Sequence, residues 1–192
     1  MDPRFTHPRY LLRKKFLKLL GGEFRISDPS GQIAFFARQK VKLKEDIRLY
    51  TDDSMSTEVL TIHARKAIDF SAAYDVLDPA AGETVGALRR KGLRSMLRDE
   101  WVILDAAENE IGAVQEESMF SAILRRTVLG ALLPQTFLVT VGGQQVARFH
   151  QRFNPFVKQI DLDFTPDTGS LLDRRLGIAA AVLLSAIEGR QA

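Results

Sequence analysis

The run Leu176-Gly177-Ile178-Ala179-Ala180-Ala181-Val182-Leu183-Leu184-Ser185-Ala186-Ile187 limits the fold more than any other part of the chain. It is rich in helix formers and ends at Glu188-Gly189-Arg190, a glycine stop signal. A helix with no polar face has to be buried on every side. Its twelve residues fall well short of the about 20 that cross a bilayer, and Asp173, Arg174 and Arg175 stand directly before it. The enclosure is therefore expected to be protein. Gly177, Ala179, Ala180, Ala181 and Ala186 are small enough to let surrounding elements approach closely.

Most of the chain before this run alternates with period 2 between turn signals. Glu23-Phe24-Arg25-Ile26-Ser27 leads through Asp28-Pro29-Ser30-Gly31 into Gln32-Ile33-Ala34-Phe35, the grammar of a hairpin. The design returns at Tyr74 to Leu77 before Asp78-Pro79-Ala80-Ala81-Gly82, at Trp101 to Leu104 before Asp105 to Asn109, and at Phe137 to Val141 before Gly142-Gly143. The return strands share a polar-apolar-small opening: Gln32-Ile33-Ala34, Thr84-Val85-Gly86, Glu110-Ile111-Gly112 and Gln145-Val146-Ala147. About twelve short strands are predicted. The fold class is α+β, predominantly antiparallel β: a closed barrel around the buried C-terminal helix, closure removing the exposed edges of so many strands. Residues 1–9 read as an N-terminal tail and 10–192 as one domain. Ser118 to Leu133 carries Phe120, Ile123, Leu124, Val128 and Leu132 at helical spacing with Arg125 and Arg126 on the other face. It is predicted to be an amphipathic helix, over the mouth or side of the barrel or in a membrane interface.

The sequence carries few marks of chemistry. There is no cysteine, which removes disulfides, thiolate metal sites and thiol nucleophiles and fits a cytoplasmic protein. His7, His63 and His150 are far apart in sequence and form no ligand-spaced pair. No GxSxG elbow, SxxK or glycine-rich phosphate loop is present, so no catalytic residue and no cofactor is expected.

Charge is more informative. Residues 1–50 hold twelve bases against five acids, although the whole chain carries only +3. Such an excess suits an anionic partner or a solvated strand face. The basic clusters are Arg13, Lys14, Lys15 and Lys18, then Arg89, Arg90, Lys91, Arg94 and Arg98. In a strand, Arg13 and Lys15 point to one side and Lys14 to the other. If Arg89 to Arg98 forms a turn, its bases gather at a barrel end where lipid phosphates could be held. Aromatics are not interleaved with these bases, which disfavours nucleic acid. Asp161, Asp163, Asp167 and Asp173 concentrate just before the terminal helix. Asp161 and Asp163 share a strand face and with Asp167 are weak calcium candidates, while Asp167 to Asp173 also suit a helix N-terminus.

Val85-Gly86-Ala87-Leu88-Arg89-Arg90-Lys91-Gly92, running on to Arg98-Asp99-Glu100-Trp101-Val102-Ile103-Leu104-Asp105 and Ile111-Gly112, resembles the tubby-like superfamily. Phe149 to Pro155 and Leu172-Asp173-Arg174-Arg175-Leu176 extend the likeness, which is nearest to its phospholipid-scramblase and LURP-one-related branches and covers residues 10 to 188. The resemblance implies a twelve-stranded barrel around a hydrophobic C-terminal helix, and phosphoinositides or phospholipids as partners. Scramblases carry an acidic calcium segment before that helix; Asp161, Asp163, Asp167 and Asp173 occupy a comparable place with different spacing. The chain lacks the Pro-rich N-terminal region and palmitoylated cysteines of animal scramblases. The function expected is a non-enzymatic domain, cytoplasmic or peripheral on membranes. It would bind anionic lipid through Arg89, Arg90, Lys91 and Arg94 ahead of Arg13, Lys14 and Lys15. The alternatives are a protein-interaction or structural module, or a calcium-dependent scramblase.

Overall fold

The computed structural model describes residues 1–17, 21–39, 46–65, 73–91, 100–117, 134–154 and 157–188. The strands are β1 (Arg9–Leu17), β2 (Gly21–Ser27), β3 (Ile33–Gln39), β4 (Ile47–Tyr50), β5 (Glu58–Ala64) and β6 (Ala73–Asp78). They continue as β7 (Glu83–Arg90), β8 (Glu100–Leu104), β9 (Glu110–Glu116), β10 (Thr136–Val141), β11 (Gln144–Arg152) and β12 (Lys158–Asp163). Each pairs antiparallel with its neighbours in chain order, and β12 closes on β1 to complete the barrel. The amphipathic segment expected at 118–133 lies outside the described residues, as do Lys18, Arg94 and Arg98.

The last element, α1 (Arg174–Glu188), passes through the barrel, and Leu176 to Ala186 are all buried. Burying Leu176, Ile178, Val182, Leu183 and Leu184 contributes on the order of 10 kcal/mol. Gly177 is glycine for want of room, since a Cβ there would stand 2.5 Å from the Phe164 ring. Both helix ends are met by polar side chains. At the N-terminus the Asp173 carboxylate accepts the Arg175 N–H at 2.9 Å, a side-chain cap. The buried Arg175 guanidinium donates to Asp78 at 2.7 Å, to Glu83 at 2.7 Å and to Asp173 at 2.7 Å, tying the helix to the β6–β7 hairpin. Next to it, the Arg174 guanidinium lies 4.1 Å from the Phe164 ring centroid, and burial lowers its pKa. At the C-terminus the Lys14 ammonium donates to the Ser185 carbonyl at 2.8 Å, a cation on the negative end of the helix dipole.

The repeated hairpin design has a physical basis. Asp28, Asp78 and Asp105 each turn a carboxylate oxygen back onto the N–H groups that follow: Ser30 and Gln32, Ala80 and Ala81, Ala107 and Asn109. A register shift sits at the end of each outgoing strand, between Ile26 and Ser27, Val76 and Leu77, Ile103 and Leu104, and Val139 and Thr140. The small third residue of the return phrase accommodates the neighbouring backbone. A Cβ on Gly86 would meet the Leu104 carbonyl oxygen at 2.3 Å, and one on Gly112 the Thr140 carbonyl oxygen at 2.0 Å. Gly112→Ala is therefore expected to cost more than about 2 kcal/mol, because backbone must move. Gly169→Ala, whose Cβ would make only ordinary contact at 3.5 Å, should stay within about 0.5 kcal/mol. Thermal midpoints of the two variants check the contrast.

Residues 1–9, expected as a tail, pack on the barrel. Pro3–Phe5 forms a 3-10 turn, and the buried Phe5 ring lies 4.5 Å from that of Phe35. The Tyr10 hydroxyl donates to the Arg4 carbonyl at 2.7 Å, and its burial raises its pKa to about 12. Apolar Phe5 has more to gain from the core than from solvent, which is why the segment folds back.

Candidate anion-binding surface

Ring order places β1 and β7 six strands apart in either direction, on opposite walls of the barrel, while both run toward the same end. The two basic clusters therefore share an end and face away from each other.

Alternation divides each cluster between inside and outside. Lys14 is 3% exposed and faces inward to the helix carbonyls, so its expected place among the lipid contacts is corrected: it caps α1. Arg90 lies in register with the buried Trp101 on the inward side, where it opposes the burial-raised pKa of Tyr74. Arg89 and Lys91 face outward but are matched by carboxylates, Glu110 at 3.7 Å and Glu100 at 2.5 Å. The hydrogen bond from Lys91 to Glu100 raises the lysine pKa. On the same wall Arg65 is held between Asp75 and Glu108, which keeps it firmly charged. Among the described residues, the outward cations Arg65, Arg89 and Lys91 of this wall are each matched by a carboxylate.

The acidic stretch is similarly engaged. Arg152 grips Asp161 with two bonds of 2.6 and 2.7 Å. Asp163 accepts the Thr165 N–H at 2.9 Å and lies 3.5 Å from Arg9. Its pKa is lowered, the Thr165 bonds and Arg9 outweighing desolvation, which is the largest single influence. Asp167 accepts the N–H groups of Leu171 and Leu172, shaping the loop before α1. These carboxylates serve three separate local structures. Among the described residues no group of three or more His, Asp or Glu side chains is arranged to hold a metal.

The outer face of β1–β3 differs. Register aligns two rows across the strands: Arg13, Arg25 and Phe36 in one, Lys15, Glu23 and Arg38 in the next. Arg13 and Arg25 are directly opposite, an arrangement that costs stability on a sheet. Glu23 lies 3.0 Å from Arg25 and 3.8 Å from Arg38. Arg25 also reaches Asp53 at 4.0 Å, at the edge of ion-pair range. No carboxylate among the described residues comes within ion-pairing distance of Arg13 or Lys15. Four cations thus cluster about Glu23, with Asp53 at the limit of reach of one of them. Arg9, on the outer face of β1 but at its β12 edge, and Arg48, Arg65, Arg89, Lys91, Arg148 and Arg152 on other strands each have a carboxylate partner. Arg25 and Arg38 were not singled out by sequence clustering. Their signal is the alternation of Phe24-Arg25-Ile26 combined with hairpin pairing, which brings distant bases to one face.

A closed antiparallel barrel of twelve strands enclosing one apolar helix defines the class of protein. The chain belongs to the LURP-one-related family, whose sequence profile matches residues 33–185. The fold is similar to the X-ray structure of a protein from Arabidopsis thaliana, with a TM-score of 0.54 and 14% identity, covering 97% of this chain and 96% of that one. This agrees with the tubby-like resemblance read from the sequence. No curated protein sequence matches the chain.

Proposed function

We propose that this domain is a non-enzymatic binding module that docks on anionic membrane surfaces through the outer face of β1–β3. Arg13, Lys15, Arg25 and Arg38 are its contacts. The observation that carries this reading is the Arg13–Arg25 opposition with Glu23 as the nearby carboxylate. Like charges placed directly opposite are an expense the fold does not require, and a surface of phosphates would relieve it. The wall bearing Arg89 and Lys91 is less suited, because each cation there has a carboxylate of its own, whereas Arg25 and Arg38 share Glu23 and Arg13 and Lys15 have no carboxylate partner among the described residues. Attachment is peripheral in this reading: no helix among the described residues is long and apolar enough to cross a membrane. The cytoplasmic leaflet supplies the anionic lipid, in keeping with a chain that uses no cysteine.

The test compares two sets of charge removal by vesicle sedimentation. Each cation at an anionic surface is worth about 1 kcal/mol. Replacing Arg13, Lys15, Arg25 and Arg38 together by glutamine should weaken partitioning tens- to hundreds-fold, while Arg89→Gln with Lys91→Gln should change it only a few-fold. Glutamine keeps enough side chain over Phe36 to leave the fold intact, which the thermal midpoint verifies. A folded quadruple variant that partitions like the parent overturns the proposal.

A further inference from the structure

Phe36 stands between the core residues Phe35 and Ala37, so alternation turns it outward, yet it is only 1% exposed. Two guanidinium groups cover it: the Arg25 carbon lies 5.9 Å from the ring centroid and the Arg38 carbon 5.7 Å. The negative face of an aromatic ring attracts cations within about 6 Å, so one ring holds two like charges side by side. Both also reach the same carboxylate, Arg25 one oxygen of Glu23 and Arg38 the other. Glu23 is largely covered, with 14% of its side chain exposed, and register places it between Lys15 and Arg38.

We infer that Arg25, Phe36 and Arg38 form a phosphate clamp whose resident anion is Glu23, so that a lipid headgroup phosphate binds by displacing the Glu23 carboxylate. This rests on the membrane-surface reading above. Carboxylate and phosphate both match the planar fork of arginine, and phosphate brings a third acceptor oxygen and more charge. In the unbound protein Glu23 offsets the repulsion between Arg25 and Arg38, and the ring keeps their positions. The arrangement stores a two-arginine site with its own competitor in place. Removing the Glu23 charge must then tighten binding, the opposite sign from every loss of a cation on this face.

The experiment is sedimentation with phosphatidylcholine vesicles containing phosphatidic acid, using the parent, Glu23→Gln, Glu110→Gln and Phe36→Leu. Glu110→Gln changes the net charge by the same amount on the opposite wall, beside Arg89. Glu23→Gln is expected to tighten binding about fivefold, the ratio equivalent to about 1 kcal/mol, and Glu110→Gln less than twofold. Phe36→Leu keeps the apolar volume and every charge but removes the ring face, and should weaken binding two- to fivefold. The Glu23→Gln gain should vanish when Arg25 and Arg38 are also glutamine. If the parent binds and Glu23→Gln binds no tighter than Glu110→Gln, or Phe36→Leu binds like the parent, the clamp is wrong and the surface reading stands. If neither the parent nor Glu23→Gln binds these vesicles, both fall together.

Discussion

Ala180→Arg is expected to leave the chain without a native fold. Ala180 is 3% exposed in the middle of α1, with buried residues on both sides along the helix. The substitution puts a guanidinium into a barrel interior where close packing leaves no space and no carboxylate is adjacent on the helix. Confining an unpaired charge costs several kcal/mol after relaxation, and the overpacking adds about 1–3 kcal/mol. Together these approach the whole stability of an ordinary domain, about 5–15 kcal/mol. Ser185→Ala, also within the barrel, is the opposite case. The Ser185 hydroxyl is buried with no hydrogen-bond partner, so its removal should be neutral or stabilising. Urea unfolding of both variants separates a charge effect from a general intolerance of the helix to change. A cooperative transition for Ala180→Arg at the parent's midpoint would contradict the threaded helix.

Arg175→Met is the second large effect. Arg175 ties the N-terminal end of α1 to the barrel wall, and the Asp78 side chain it grips is 7% exposed. Breaking a buried pair by removing one partner costs about 3–5 kcal/mol, because the other charge stays behind without compensation. Adding Asp78→Asn should recover part of the loss, making the double variant less damaged than the sum of the single ones. The pH dependence has a definite sign. Burial, the largest influence on Asp78, raises its pKa, but the Ala81 and Ala80 N–H groups and Arg175 together outweigh it and leave the carboxyl below its ordinary value. A lowered folded-state pKa gives stability that is present above the unfolded value and lost as pH falls through the folded one. The parent should therefore lose stability on acidification below about pH 4, and the gap between parent and Arg175→Met should narrow there. A gap that widens on acidification would contradict the role given to this pair.

How far such features can be read from sequence depends on whether their cause is local. The all-apolar run from Leu176 announces burial by itself, and the Asp-led turns at Asp28, Asp78 and Asp105 announce hairpins because each carboxylate acts within a few residues. Alternation separated Lys14 from Arg13 and Lys15 but did not say which face was inner, and Lys14 was still expected among the lipid contacts. Its purpose was not legible, because the Ser185 carbonyl it meets is 171 residues away. Basic clustering along the chain pointed to Arg89 and Lys91 ahead of Arg13 and Lys15. Cross-strand partners carry the proposal to the other face: Glu110 and Glu100 pair with the former, while Arg25 and Arg38 lie beside the latter. Charge on a barrel wall is a property of register, and register depends on pairings that are distant in sequence. Asp161, Asp163 and Asp167 make the same point, since their engagement with Arg152, Thr165 and the Leu171 backbone could not be inferred from spacing.

The most direct measurement is the partitioning of the unmodified protein onto vesicles as anionic lipid and salt are varied. Phosphatidylcholine alone should bind little, and binding should rise steeply as phosphatidylserine or phosphatidic acid is added. Raising ionic strength from about 0.01 M to 0.15 M shortens the screening length from about 30 Å to about 8 Å and should release most of the bound protein. Binding that depends on anionic lipid and is lost with salt is the result predicted for the Arg13, Lys15, Arg25 and Arg38 face. No binding to anionic vesicles at low salt, or equal binding to neutral ones, would contradict it.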